Sequence, residues 1–239
     1  MDDQTWLNRR AETLFDLNAS GQILRGRDPK APAPKVFLQR SAKALTLHLR
    51  HDLDHHLAGA ITNLARLEPP DIPFAALQTW DKLTQLLGTN TIVGGGPVYD
   101  LPHGTSFPTN AELISSDTPQ GDQRLSDWRR IGLPDALTDL GFTDSEDVWR
   151  PWCLALEGDE VVALCQTARH QNGGAEAGVI TVPTHRGQGL AAAVTACWSA
   201  HPKLAHVTLY YSTWNSNLAS QRVAAKLGLL HRAQDFKLT

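Results

Sequence analysis

The sequence predicts a mixed α/β protein built on a mixed sheet. The stretch from Trp149 to the C-terminus alternates short apolar runs of strand length with alanine-rich runs of helical period. Two of the strand-like runs flank a Gly158-Asp159 turn, which is a hairpin signal. The N-terminal third carries both periods as well, alternation at Leu45, Leu47 and Leu49 and helical spacing at Leu53, Leu57, Ile61 and Leu64.

Taken in chain order, Lys30 to Pro34 reads as a loop, since its prolines cannot donate to a ladder. A short apolar run, Val36 to Leu38, and a strand over Ala44 to Leu49 follow. A helix is expected over His51 to Leu67, with Asp52 as its N-cap and Pro69-Pro70 ending it. A second helix is expected over Phe74 to Leu87, stopped by Gly88. The run Gly94-Gly95-Gly96-Pro97 reads as a joint or a hinge. A short strand over Pro97 to Pro102 and short helices over Asn110 to Ile114 and Asp135 to Leu140 come next. Strands are expected at Trp152–Leu156, Val161–Thr167, Ala175–Val182 and Val207–Tyr211. Helices are expected at Leu190–Ala200, closed by Pro202, and at Asn217–Leu227, closed by Gly228.

Composition narrows the function. The chain has 239 residues, 41% of them hydrophobic, with 22 basic against 25 acidic residues. That balance shows no basic stripe for a nucleic acid. The N-terminus, MDDQTWLNRR, is not a signal peptide, and no apolar run reaches the ~18 residues of a membrane span. A cytoplasmic protein is expected, with no membrane or nucleic-acid partner. The cysteines at 153, 165 and 197 are odd in number and far apart. They are expected to be apolar filler rather than disulfide or zinc ligands. His51 and His55 share a helix face within HDLDHH, but no third ligand is evident, so the segment reads as a solvated helix start and no metal is expected.

The informative segment is AGVITVPTHRGQGLAAAVTACWSA, Ala177 to Ala200. A strand ends, a turn carries Arg186, Gly187, Gln188 and Gly189, and a helix begins at once. Glycines allow close backbone approach, and the first helical amides point outward with the helix dipole behind them. Such a turn suits a diphosphate, and Arg186 adds positive charge. Three other readings compete. A phosphate-binding P-loop needs a Gly-Lys-Ser/Thr that is missing here. A dinucleotide fingerprint is matched only in part, and late in the chain. A plain structural turn stays open.

Arg186-Gly187-Gln188-Gly189-Leu190-Ala191 resembles the Q/R-x-x-G-x-G/A signature of the GNAT superfamily of N-acetyltransferases. Asn217-Leu218-Ala219-Ser220 with Lys226-Leu227-Gly228-Leu229 resembles its second motif, one strand further on. The layout of the chain is also similar to a bacterial group of that superfamily with an N-terminal extension. The resemblance implies a GNAT acyl-CoA N-acyltransferase fold over 91–239, preceded by an α/β region over 1–90 that caps the acceptor site or mediates a homodimer. It implies acetyl-CoA as cosubstrate and a small-molecule or peptide amine as acceptor. The amides of Arg186, Gly187, Gln188, Gly189, Leu190 and Ala191 would hold the diphosphate. Ile180 and Val182 would pair with the pantetheine arm, and Asn217 would bond it near the thiol. The thioester would lie in a gap between Ala175–Val182 and Val207–Tyr211.

The implied reaction is direct attack by an amine on the thioester, with Glu176 as base. Ala224 stands where many relatives carry the tyrosine that protonates the leaving thiolate, which leaves Ser220, Tyr211 or Tyr210 for that role. The same departure supports a second reading, a non-catalytic acyl-CoA-binding or regulatory module. Trp214, three residues before Asn217, is a candidate wall of the acceptor pocket. Arg222 and Lys226 share a helix face toward the adenosine phosphate or toward plain solvent.

Overall fold

A computed structural model describes residues 1–26, 32–69, 76–88 and 93–239. In chain order the elements are α1 (Asp3–Leu14), β1 (Phe15–Leu17), β2 (Ile23–Gly26), β3 (Val36–Ser41), β4 (Leu45–Leu49), α2 (His55–Ala65), α3 (Trp80–Leu87), β5 (Val93–Asp100) and β6 (Glu112–Ser115). They continue with α4 (Pro119–Ile131), α5 (Asp135–Thr138), β7 (Trp152–Glu157), β8 (Glu160–Gln171), β9 (Gly174–Thr181), α6 (Leu190–Ser199), β10 (Thr208–Ser212), α7 (Leu218–Lys226) and β11 (Leu230–Leu238). The fold is mixed α/β, as the sequence predicts. Contacts divide the chain into two units. The first is Met1–Tyr99, Ser212–Leu218 and His231–Thr239, and the second is Asp100–Tyr211 with Ala219–Leu230. The expected boundary after residue 90, the start of the second helix at Phe74 and the helix-ending Pro70 all lie outside the described residues.

In the first unit the strands run in the order β4-β3-β11-β5, with β3 antiparallel to both neighbours. Every residue of β3 is buried, because both faces are covered. On one face α2 and α3 pack Ile61, Ala65 and Leu83 over Val36, Leu38 and Phe236. On the other, α1 and the β1–β2 hairpin enclose Phe37 with Ala11, Leu14, Phe15 and Ile23. The polar residues of β3 and β11 are buried in pairs. Arg10 donates to Asp235 at 2.8 Å, Gln39 donates to the same carboxylate at 3.2 Å, and Arg40 donates to Glu68 at 3.1 Å.

In the second unit the order is β10-β9-β8-β7-β6. One face packs Leu154, Leu164 and Trp152 against Leu125 and Trp128 of α4 and Leu137 of α5. The other face carries α6, whose Trp198 indole donates to the Pro151 carbonyl at 3.0 Å.

Several expectations are corrected. Helix α2 begins at His55, capped by Asp54, which accepts from His56 and Leu57 amides; Asp52 instead accepts from Arg50 at 2.7 Å. The residues 110–114 do not form a helix; 112–115 form strand β6, antiparallel to β7. Gly94–Gly96 are no joint. They lie inside β5, where a Cβ on Gly95 would fall 2.1 Å from the Asp235 carbonyl oxygen and one on Gly96 would fall 2.0 Å from that of Thr213. Cys153 of β7 and Cys197 of α6 form a disulfide with a Cα separation of 6.1 Å, because packing of α6 on β7 brings together residues 44 apart. Cys165 is free and buried.

Candidate active site

Strand β9 ends at Thr181, and a 3-10 turn over Pro183–His185 leads to Arg186. Gly187 and Gly189 then take φ of 83° and 87°, the left-handed region that glycine enters without strain. Gly189 is the N-cap of α6, and no side chain caps that end. Among the described residues, the amides of Gly187, Gln188 and Gly189 donate to no backbone acceptor, and Arg186, Gly187 and Gln188 are exposed. The donors at the head of α6 therefore face outward. Phe107 closes one side, its ring 3.1 Å from where a Cβ on Gly189 would sit. A cavity of about 750 Å³ opens beside the turn, lined by Gln188, Leu190, Thr109 and Asn110. Two carboxylates, Glu112 and Glu157, reach the same cavity, and Glu157 is bonded to His185 Nε2 at 2.7 Å. The Arg186 side chain turns back to the Thr181 carbonyl at 3.4 Å.

The sheet forks beside this turn. β9 and β10 are parallel and in register only at Gly174–Glu176 with Thr208–Tyr210. Beyond Glu176, β9 continues to Thr181 paired with β8 alone among the described residues. This is the gap expected between Ala175–Val182 and Val207–Tyr211. The strand residues facing it differ from expectation. The Val182 amide donates to the Val162 carbonyl at 3.0 Å, and Ile180 stands opposite Leu164. Antiparallel pairs alternate between bonded and non-bonded, so Val182 and Ile180 direct their backbone groups at β8. Val179 and Thr181 present theirs to the gap, and the Thr181 hydroxyl is buried with no partner among the described residues.

Glu176 is the last paired residue before the fork and is half-buried. Alternation puts it on the sheet face of Tyr210, opposite the face of Tyr211. Tyr211 is 3% exposed, and its hydroxyl meets the Ser220 hydroxyl at 2.8 Å at the start of α7. These two candidates are thus one hydrogen-bonded pair, whereas the fully buried Tyr210 lies on the other face. Ala224 is also fully buried, so its position in α7 is filled by packing. Asn217 belongs to the first unit, is exposed, and donates its amide to Trp214 at 3.0 Å. Arg222 and Lys226 are exposed. Phe107 and Thr181 were not identified from the sequence, because only the fold brings them to the turn and the gap.

The family model described as GNAT acetyltransferase matches residues 153–236. No curated protein matches the chain. Among solved structures, the chain is similar to a GNAT-family acetyltransferase from Colwellia psychrerythraea, at 16% identity and a TM-score of 0.47 over 99% of this chain and 95% of that one. It is similar to a GCN5-related N-acetyltransferase from Kribbella flavida, at 17% identity and a TM-score of 0.47, where 67% of this chain covers 63% of that one. A GCN5-related N-acetyltransferase from Sphaerobacter thermophilus gives 16% identity and a TM-score of 0.45 over 82% of this chain and 71% of that one. No helix among the described residues is long and apolar enough to cross a membrane. Residues 153–236, which hold both sequence motifs, match the GNAT acetyltransferase family, whose chemistry is acyl transfer.

Proposed function

We propose that the protein transfers an acetyl group from acetyl-CoA to a primary amine by direct attack. The observation that carries this reading is the uncapped, outward-facing turn at Gly187–Gly189 beside the fork between β9 and β10. The amides from Gly187 to Ala191 bind the diphosphate, aided by the α6 dipole. The pantetheine arm adds to the free edge of β9 through Val179 and Thr181 in the manner of an extra strand.

The amine lone pair forms a C–N bond at the thioester carbonyl, and the C–S bond breaks as the tetrahedral intermediate collapses. The surplus amine proton leaves through Glu176, directly or by water. The thiolate takes a proton from the Tyr211–Ser220 pair, in which either hydroxyl can donate to the other. This pair stands in for the tyrosine that Ala224 replaces. A thiol of pKa about 8.5 is already a fair leaving group, so modest acid assistance suffices.

The fully buried Ala224 also favours the second reading, a module that binds acyl-CoA without transferring it. Two measurements separate them. Calorimetry with acetyl-CoA is expected to show saturable binding; none at millimolar ligand sinks both readings. Thiol release over an amine panel is expected to rise with at least one amine. Binding without release on any amine leaves the non-catalytic module.

A further inference from the structure

Strand β8 carries an extra residue where it passes the candidate base. Thr167 stands opposite Ala177, but the next pair is Arg169 with Glu176, so Ala168 and Arg169 together oppose one residue of β9. This is a β-bulge, a feature that re-aims side chains beside active sites. Strict alternation would set Ala168 opposite Glu176 and turn Arg169 to the other face of the sheet. The bulge instead brings Arg169 to the face of Glu176, directly across from it. Gly178 makes room for the extra residue, since a Cβ there would fall 3.0 Å from the Cβ of Ala168. Arg169 is also stacked, its guanidinium 5.9 Å from the centroid of the Trp149 ring. Trp149 is anchored through its backbone. Its N–H donates to Gln166 Oε1 at 2.8 Å, and its carbonyl accepts from the Thr167 amide at 3.3 Å. Its indole is nevertheless 40% exposed. Trp149, Arg169 and Glu176 all belong to the second unit.

We infer that the acceptor is a free α-amino acid with an aromatic or apolar side chain, and that Arg169 binds its carboxylate. This rests on the acetyl-transfer reading above. In an α-amino acid a single carbon separates the amine from the carboxylate. Directly opposed strand residues have Cβ atoms about 5 Å apart, so a carboxylate base and a guanidinium at that spacing suit the two groups of one such molecule. The amine meets Glu176, the carboxylate meets the planar N–H fork of Arg169, and the side chain lies against the exposed Trp149 indole. Stacking on Trp149 uses the face of the guanidinium and leaves its N–H edge for partners. That edge carries five donors, enough to serve Glu176 and a substrate carboxylate together. A polyamine or an aminoglycoside would instead bring a further ammonium against the guanidinium, and like charges repel.

The test uses the full chain with L-phenylalanine and L-phenylalaninamide, which match in size and differ in the carboxylate charge. The amide gives up its ammonium proton more readily, so amine reactivity alone would favour it. Thiol release from acetyl-CoA is expected to give a kcat/KM roughly ten- to a hundred-fold higher for L-phenylalanine, the worth of a hydrogen bond to a charged group. Arg169→Gln is expected to erase that preference by raising KM for L-phenylalanine alone. Trp149→Ala is expected to raise KM for both probes. Neither variant should change acetyl-CoA affinity by calorimetry, and an unchanged Tm checks the fold. The comparison of the two probes on the wild-type protein stands even if a variant fails to fold. Absent binding of L-phenylalanine, turnover of the amide as fast as the acid, or a preference for the acid that survives Arg169→Gln each overturns the inference. Failure of the acetyl-transfer reading looks different: no acetyl-CoA binding and no thiol release, with L-phenylalanine still bound and its binding still lost in Arg169→Gln.

Discussion

At Gly189, folding and ligand binding make different demands, so a substitution can separate them. The residue sits at φ 87° and caps α6 without a side chain. An aspartate there meets the Phe107 ring, 3.1 Å from its Cβ, and adopts a left-handed backbone at some strain. Its carboxylate, however, is among the best N-caps and offsets part of that strain. Gly189→Asp is therefore expected to fold, with an unchanged far-ultraviolet spectrum. It puts a negative charge where the diphosphate binds, so acetyl-CoA affinity should fall at least a hundred-fold by calorimetry. Retained affinity in the folded variant would show that the turn is not the site. The demand for glycine at this turn was legible in the sequence, because left-handed backbone needs that residue type. The assignment of Ile180 and Val182 to the gap was not, because the direction of a strand's backbone groups depends on its register with β8. That register rests on partners such as Val162 and Leu164, far away in the chain.

At the scale of elements, legibility follows how local the folding signal is. The hairpin β7–β8, strand β9, helix α6 and helix α7 carry their own turns, caps and periods, and the sequence marks their ends within a residue or two, except that β8 runs on to Gln171, four residues past the expected Thr167. Strand β11 went unrecognised because its polar residues hide it. Asp235 and Gln234 are buried, with Arg10 and Asn215 as distant partners. The second half of strand β5 falls within the strand expected over Pro97 to Pro102, but its glycine half reads as a joint because three glycines normally break a strand. Here they are required by close approach: the Gly96 Cα abuts the chain at Thr213–Asn215, and an added Cβ would lie 2.0 Å from the Thr213 oxygen. Gly96→Val is accordingly expected to destabilise the protein by more than about 3 kcal/mol, beyond ordinary overpacking, since a backbone cannot yield as a side chain does. Urea unfolding checks this. A stable Gly96→Val variant would mean that β5 is a free linker after all.

At the scale of the whole molecule, buried His48 and half-buried His231 tie stability to pH. Burial pushes the pKa of His48 below its ordinary value, against a smaller opposing effect from its bond to the Gly21 carbonyl, 2.9 Å from Nδ1. That bond assigns the proton of the neutral ring to Nδ1 and leaves Nε2 buried without a partner among the described residues. A second proton there would be an uncompensated buried charge. Burial also lowers the pKa of His231, opposed by the Ala233 backbone and Gln234. Above pH ~6.5 both residues are neutral whether the chain is folded or not, so neither penalises folding. As pH falls below that value the unfolded chain binds protons that the folded chain refuses, and stability declines until the lowered folded pKa values are reached. Each kcal/mol so lost lowers Tm by about 2–4 °C in a protein of this size. Melting curves from pH 8 down to 5 are therefore expected to be flat above about 7 and to fall below about 6.5. His48→Gln should melt lower at pH 8, where the wild-type ring packs well, yet lose less between pH 7 and 5 because it has no proton to refuse. Equal slopes in the two proteins would remove His48 from the account and leave the acid sensitivity to other groups.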